Sequence, residues 1–280
     1  MQSSNPVFNR AEGFNGRGAA PAADSYSGYG DPSTWSVGSS SGGAPQAPAR
    51  PASRMTIDSV VQKSAMSLGV LLVFAIGTWV LTGDLETSPE AAGTLLGAAG
   101  LGALIAFGLS LVNSFKRVVS PALVLAFAAA EGVALGGISK LFDAQFGDGI
   151  VTNAVLGTFA AFAGTLAAYK FLNIQVGDKF RKFVVAAMFG MVGLGLLEMV
   201  LQVFGAGIGI FGFGALGLIF AVAGLVLGVL MLIMDFDFVE RGVAAGLEER
   251  ESWRAAFGLT VSLVWIYTNL LRILAIFSQE

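Results

Sequence analysis

The 280-residue chain is 55% hydrophobic and only 12% charged, whereas an ordinary soluble domain carries about 25% charged residues, so water is not the main solvent for this protein. It contains no cysteine and no histidine, which removes disulfides, thiolate metal sites and every Ser-His or Cys-His catalytic arrangement. The net charge of -3 offers no basic footprint for nucleic acid, and the composition as a whole predicts an all-α integral membrane protein with no enzymatic activity and no resident cofactor.

Residues 1–54 are rich in Gly, Ser, Ala and Pro and show neither helical nor strand periodicity, the pattern of a disordered tail. A basic start followed directly by an apolar core is missing, so this segment reads as a retained cytoplasmic tail rather than a cleaved signal peptide. Residues 55–280 form one membrane domain. A hydrocarbon core about 30 Å thick takes about 20 residues of helix. Seven apolar segments come close enough, at 65–82, 91–112, 120–138, 151–169, 183–204, 210–234 and 257–277. The fifth and sixth are divided only by the glycine-rich stretch Gly205 to Gly209; without a turn there they would form one helix far too long for a single span. The segment Glu240 to Arg254 mixes Glu with Arg and is predicted to be a solvated helical loop.

Charge along the connections gives an orientation. Arg54 and Lys63 precede the first span, Lys116 and Arg117 follow the second, Lys170, Lys179, Arg181 and Lys182 follow the fourth, and Arg241, Arg250 and Arg254 follow the sixth. The alternate connections hold one basic residue, Lys140, among the acidic Asp84, Glu86, Glu90, Asp143 and Asp148. Positive residues are retained on the cytoplasmic side, so the expected arrangement is N-terminus inside and C-terminus outside, which an odd number of spans satisfies. The pairs Gly93 and Gly97, Gly132 and Gly136, and Gly224 and Gly228 each place small residues on one helix face, as close helix packing in a bilayer requires.

Ionisable groups at bilayer depth are costly and mark pathways or buried pairs. Glu131 lies mid-way along the third segment. Glu198 lies in the outer part of the fifth, with Gln202 one turn further along the same face. Arg272 sits at a similar level of the seventh, so that pairing with Glu198 is one reading and outward snorkelling of Arg272 another. Ser262, Asn269 and Arg272 share a stripe, giving the last helix a polar face towards protein or water. Asp235 and Asp237 close the sixth segment, either as part of a pathway or as hydrated residues balanced by Arg241.

The segment Ile233-Met234-Asp235-Phe236-Asp237-Phe238-Val239-Glu240, the pair Glu131-Gly132, the opening Ser3-Ser4-Asn5-Pro6-Val7-Phe8 and the closing run Leu271 to Ser278 resemble the Bax inhibitor/YccA family, in particular a bacterial branch of it. The resemblance implies six helices around a central seventh, a bacterial plasma-membrane location and, as for some members, a pH-sensitive calcium leak. It further implies a pore closed by a hydrogen bond between aspartates on the sixth and seventh helices. Asp235 matches the first of these. With Asn269 aligned to the family's asparagine, the second position is taken by Ile266, leaving Asp237 or Glu131 as candidates for the missing carboxylate.

Two functions follow as expectations. One is a cation path, for calcium bound only transiently, in which Asp235 and Glu131 line or gate the way and Arg272 organises the outer half; carboxylate oxygens suit calcium and no soft ligand is present. The other is a non-conducting regulator that binds membrane proteins such as a protease. An intramembrane aspartyl protease is disfavoured because a paired aspartate is lacking on the seventh helix.

Overall fold

The computed structural model describes residues 53–83, 85, 89–147 and 149–279, with the side chains of Pro89 and Glu90 excluded. The predicted tail up to residue 52, the opening motif Ser3 to Phe8, and Asp84, Glu86 and Asp148 lie outside the described residues. Seven helices follow one another: α1 (Ile57–Leu81), α2 (Pro89–Phe115), α3 (Pro121–Phe146), α4 (Ile150–Phe171), α5 (Asp178–Val203), α6 (Ala215–Ala244) and α7 (Glu251–Phe277). All seven are long and apolar enough to cross a membrane. The architecture is an all-α seven-helix bundle.

Several helices outrun the apolar segments that announce them. α6 continues ten residues past the expected end at 234, and α7 starts at Glu251 instead of 257, so the segment Glu240 to Arg254 is mostly the end of one helix and the start of the next. Hydropathy marks where a chain leaves hydrocarbon, whereas the backbone ladder continues into water as long as it stays paired. At about 1.5 Å per residue the 30 residues of α6 extend about 45 Å, well beyond a hydrocarbon layer about 30 Å thick.

Local chemistry sets the helix ends. Thr56 and Ser59 form a reciprocal capping box at the start of α1, and Pro121 opens α3 where a missing N–H costs nothing. The turn between α5 and α6 places Gly205 at φ 71° and Gly209 at φ 87°, a backbone region that side chains with a Cβ rarely enter. Lys140, the one basic residue expected among acidic connections, is fully engaged: its ammonium donates to the carbonyls of Trp79 at 2.8 Å, Thr82 at 2.6 Å and Gly83 at 3.1 Å. These are the carbonyls a helix end leaves unpaired, and a cation there also complements the helix dipole.

α7 is the central helix, packing directly on α1, α3, α4 and α6, while α2 joins chiefly through α3 and α5 through α6. Ala128 and Leu135 of α3, Ala154 of α4 and Leu271 of α7 share one buried cluster. Leu232 and Phe236 of α6 meet Leu259 and Ile266 of α7 in another. Two of the three glycine pairs are seams. A Cβ on Gly132 or Gly136 would run into α1 backbone at Leu71 or Ala75, and one on Gly224 or Gly228 would run into Asn269, Trp265 or Ile266 of α7. Gly93 and Gly97 are not seams, since nothing lies within 4 Å of a Cβ at either.

The four basic stretches meet at one end of the bundle through direct contacts. The Met55 amide donates to the Leu247 carbonyl at 2.7 Å and the Glu249 amide to Ser53 at 2.7 Å, which lays the start of the membrane domain along the α6–α7 connection. Arg254 reaches the Arg117 carbonyl at 2.8 Å, and Arg241 reaches the Val176 carbonyl at 2.5 Å. Positively charged segments distant in sequence thus form one surface, referred to below as the basic end.

Candidate functional site

Asp235 lies on α6 about 13 Å of helix before Ala244, at about 1.5 Å per residue, and is half-buried against α7. The Ser262 hydroxyl donates to its Oδ2 at 2.5 Å. Its Oδ1 lies against Gly258, where a Cβ would come within 2.7 Å of it. Gly258 and Ser262 are four apart and therefore one above the other on the same face of α7, so a bare backbone and a hydroxyl together form the shelf on which the carboxyl rests. No charged side chain among the described residues pairs with Asp235.

Asp237 is placed differently. It is buried, and its two oxygens take Arg241 at 2.9 Å and Arg181 at 3.2 Å. Arg241 continues to the α4–α5 connection, and Tyr169 of α4 donates to Glu240 at 2.6 Å. The group ties the basic ends of α4, α5 and α6 together. Asp237 does not supply a second carboxylate to Asp235, because two positions along a helix differ by about 200° in direction.

Glu131 does not supply it either. Phe127 stacks edge-on against Phe257 with ring centroids 5.0 Å apart, and Ser139 hydrogen-bonds Tyr267 at 2.6 Å; these two contacts set the register of α3 beside α7. Glu131 then stands about one turn above Phe257, near the depth of Ser262, but on the α3 side of α7, away from α6. It is half-buried and has no hydrogen-bond partner among the described residues.

At the other end of the bundle Glu198 and Arg272 do not pair with each other. The Glu198 side chain, fully buried, accepts the backbone N–H groups of Ile208 and Gly209, both at 2.8 Å, and the Gln202 amide at 3.3 Å. Arg272 donates to the Ile210 carbonyl at 2.7 Å and lies over the rings of Phe211 and Phe220 at 5.5 and 5.9 Å. Both charges therefore grip the α5–α6 connection, from α5 and from α7. The expected ion pair is replaced by two clasps on one loop, since a loop offers unpaired N–H and C=O groups that satisfy each charge separately. Asn269 serves the α6–α7 seam: its amide donates to the Trp265 carbonyl at 2.7 Å, while Trp265 donates its indole N–H to the Gly224 carbonyl at 2.8 Å.

Where the resemblance implied a second carboxyl opposite Asp235, the central helix α7 instead presents a hydroxyl and a bare backbone, Ser262 and Gly258. The family model described as Bax inhibitor 1 like matches residues 5–279. The chain belongs to the Bax inhibitor 1-like family. Among curated proteins none matches it in sequence. In this family member the position facing Asp235 is Ser262, one turn before Ile266. Ile266 itself is fully buried in the seam, beside Gly228. The signal for Ser262 was the polar stripe it shares with Asn269 and Arg272, and anchoring the comparison at Asn269 hid its partner. Gly258 carried a fainter signal, a small residue four positions before Ser262. No group of three or more Asp, Glu, His or Cys side chains gathers among the described residues to hold a metal ion.

Proposed function

We propose that this Bax inhibitor 1-like protein provides a pH-sensitive leak for cations, calcium foremost, across a bacterial plasma membrane. The observation that carries the reading is the Asp235–Ser262 contact between α6 and the central α7. A carboxyl without a counter-cation attracts a metal cation when ionised and loses that attraction when protonated. Its hydroxyl partner holds it against α7 but does not neutralise it. The contact is a one-carboxyl latch, without the mutual repulsion that sharpens titration in a carboxyl pair. Glu131, at similar depth on the other face of α7, is a second carboxyl for the same path, and calcium passes as a transient guest of oxygen ligands. The gathering of Arg54, Arg241, Arg250 and Arg254 at one end supports a cytoplasmic N-terminus and an outside C-terminus. Asp235 facing a serine, and Asp237 held by two arginines, support a non-enzymatic role, because aspartyl chemistry needs two carboxyls sharing a proton.

Purified protein in liposomes with trapped calcium indicator tests this from about pH 6 to about pH 8, a range in which a folded protein is expected to persist. Flux should rise with pH in the wild type, as the carboxylate form accumulates. It should lose that dependence in Asp235→Asn, fall in Glu131→Gln, and rise at all pH values in Ser262→Ala, where the latch is cut. Flux no greater than in protein-free liposomes would sink the reading. The alternative is a non-conducting regulator that binds other membrane proteins. It is favoured by the unpacked small-residue face of α2 at Gly93, Gly97 and Gly100, and cross-linking from that face that recovers only lipid and self-contacts would count against it.

A further inference from the structure

A cavity of about 560 Å³ lies between α1, α3, α4 and α7, on the far side of α7 from Asp235. Its side walls are Leu72 and Ile76 of α1 and Val151 and Val155 of α4, and Ser139 with Tyr267 forms a hydrogen-bonded floor. α1 packs on α3 and α7, and α4 on α6, α7 and α3, but α1 and α4 share no seam. Leu72 and Ile76 are exposed beside the gap. In a bilayer such a gap opens sideways onto acyl chains, and the volume is that of a pocket able to enclose a ligand of modest size.

Apart from the Ser139–Tyr267 floor, the polar lining is Trp79, Asp143 and Thr152, which stand near the end of α1, the end of α3 and the start of α4. Tryptophan is enriched at the level of lipid headgroups. Among the described residues two charged side chains, Lys140 and Asp143, stand near these helix ends. The Lys140 ammonium has three donors, and the carbonyls of Trp79 in α1 and of Thr82 and Gly83 just past its end take them, so it has nothing left to offer a phosphate. Asp143 forms no ion pair or side-chain hydrogen bond among the described residues. Neither the wall of α1 nor the nearby turns of α4 carry a charge, and Arg272 of α7 is committed to the Ile210 carbonyl. Among the described residues, the uncompensated charge at the mouth is therefore the Asp143 carboxylate above an apolar slot.

We propose that this cavity is a phospholipid site, with one acyl chain lying between α1 and α4 and a primary ammonium headgroup hydrogen-bonded by Asp143. A primary ammonium supplies N–H donors to the carboxylate, which a trimethylated headgroup lacks and a glycerol headgroup replaces with weaker neutral hydroxyls. The site is independent of the cation path, since it uses neither Asp235 nor Glu131.

The test is native mass spectrometry of the full chain in detergent with an equal mixture of three phospholipids, identical in acyl chains but bearing ethanolamine, choline or glycerol headgroups. The ethanolamine lipid should be retained about fivefold over each of the others, the discrimination expected of one partly exposed ionic contact. Asp143→Asn should bring the three to parity while some lipid is still retained. Ile76→Trp and Thr152→Trp narrow the gap from opposite lips, and each should abolish retention. Both positions are exposed and lie on different helices, so a folding failure of one variant, seen by chromatography and circular dichroism, leaves the other to decide. Equal retention of the three lipids by the wild type, preference for the glycerol headgroup, undiminished preference in Asp143→Asn, or normal retention in a folded Trp variant would each overturn the proposal. Asp235→Asn should retain the ethanolamine lipid as the wild type does, so a failed flux measurement and a failed lipid measurement are separate results.

Discussion

Asp235 and Asp237 are separated by a single phenylalanine, yet α6 delivers them into opposite circumstances. Asp237 turns towards α5 and is neutralised by Arg181 and Arg241. Asp235 turns towards α7 and meets a hydroxyl and the bare backbone of Gly258. A buried carboxylate held by two guanidinium groups is fixed in charge and serves to join helices. A carboxyl with only a neutral donor has no such commitment and can change charge without pulling the helices apart. The difference arises from direction on the helix and not from depth, and it separates a structural acid from a candidate functional one.

The largest way to break the comparison is to remove the shelf beneath Asp235 without altering either charge. Gly258→Val places a branched side chain where Asp235 Oδ1 lies, and overpacking of this kind costs about 1–3 kcal/mol. The thermal midpoint in detergent should fall, and the pH dependence of flux should flatten because the carboxyl is driven off Ser262. Gly97→Val, which meets open space, should change stability by no more than about 0.5 kcal/mol. Equal effects at the two glycines would mean that the α6–α7 seam is not the tight one.

Asp237→Asn is the next largest. Removing one partner from a fully buried ion pair costs about 3–5 kcal/mol, but the Arg181 and Arg241 side chains are 47% and 55% exposed, so water recovers much of the loss. A decrease of about 1–2 kcal/mol is expected on that discount. The pH profile of flux should keep its shape, and only the amount of folded protein should fall. A flux profile that moves with Asp237 as much as with Asp235 would erase the distinction between the two acids.

How much of this was legible in the sequence depended on whether a residue's partner has a side-chain signature. The seven helices were legible because long apolar runs admit few other structures, and the basic end was legible because Lys and Arg recur in every second connection. Arg241 was visible as a partner for Asp237 at four residues' distance, but Arg181 was not, since only the docking of the α4–α5 connection brings it near. Glu198 stood out as a buried acid. Its partners, the amides of Ile208 and Gly209, carry no identity of their own, so a pairing with Arg272 was the natural and mistaken alternative. Lys140 broke the charge pattern for the same reason, as carbonyls at a helix end leave no mark in the sequence. Ser262 was legible as a polar position on α7, but its pairing with Asp235 depended on helix register, which a shift of one turn conceals.

The smallest expected effect concerns a third acid, Glu249, at the basic end. Hydrogen bonds from Lys63, at 2.9 Å, and from Ser53 hold its carboxyl below the usual glutamate range. A depressed value in the folded state means that its contribution is fully present above the unfolded value, about 4.3, and is lost only as pH falls through the folded value. The backbone pairing of residues 53–55 with 247–249 should therefore stay intact through neutral and mildly acidic conditions and loosen only below the ordinary glutamate range. Hydrogen exchange of the Met55 and Glu249 amides reads this directly, because both donate across that pairing. Glu249→Gln should lower their protection slightly and remove its dependence on pH. Loosening between about pH 6 and pH 8 would require a group titrating near neutrality at the basic end, and the pH response of flux would then no longer point to Asp235 alone.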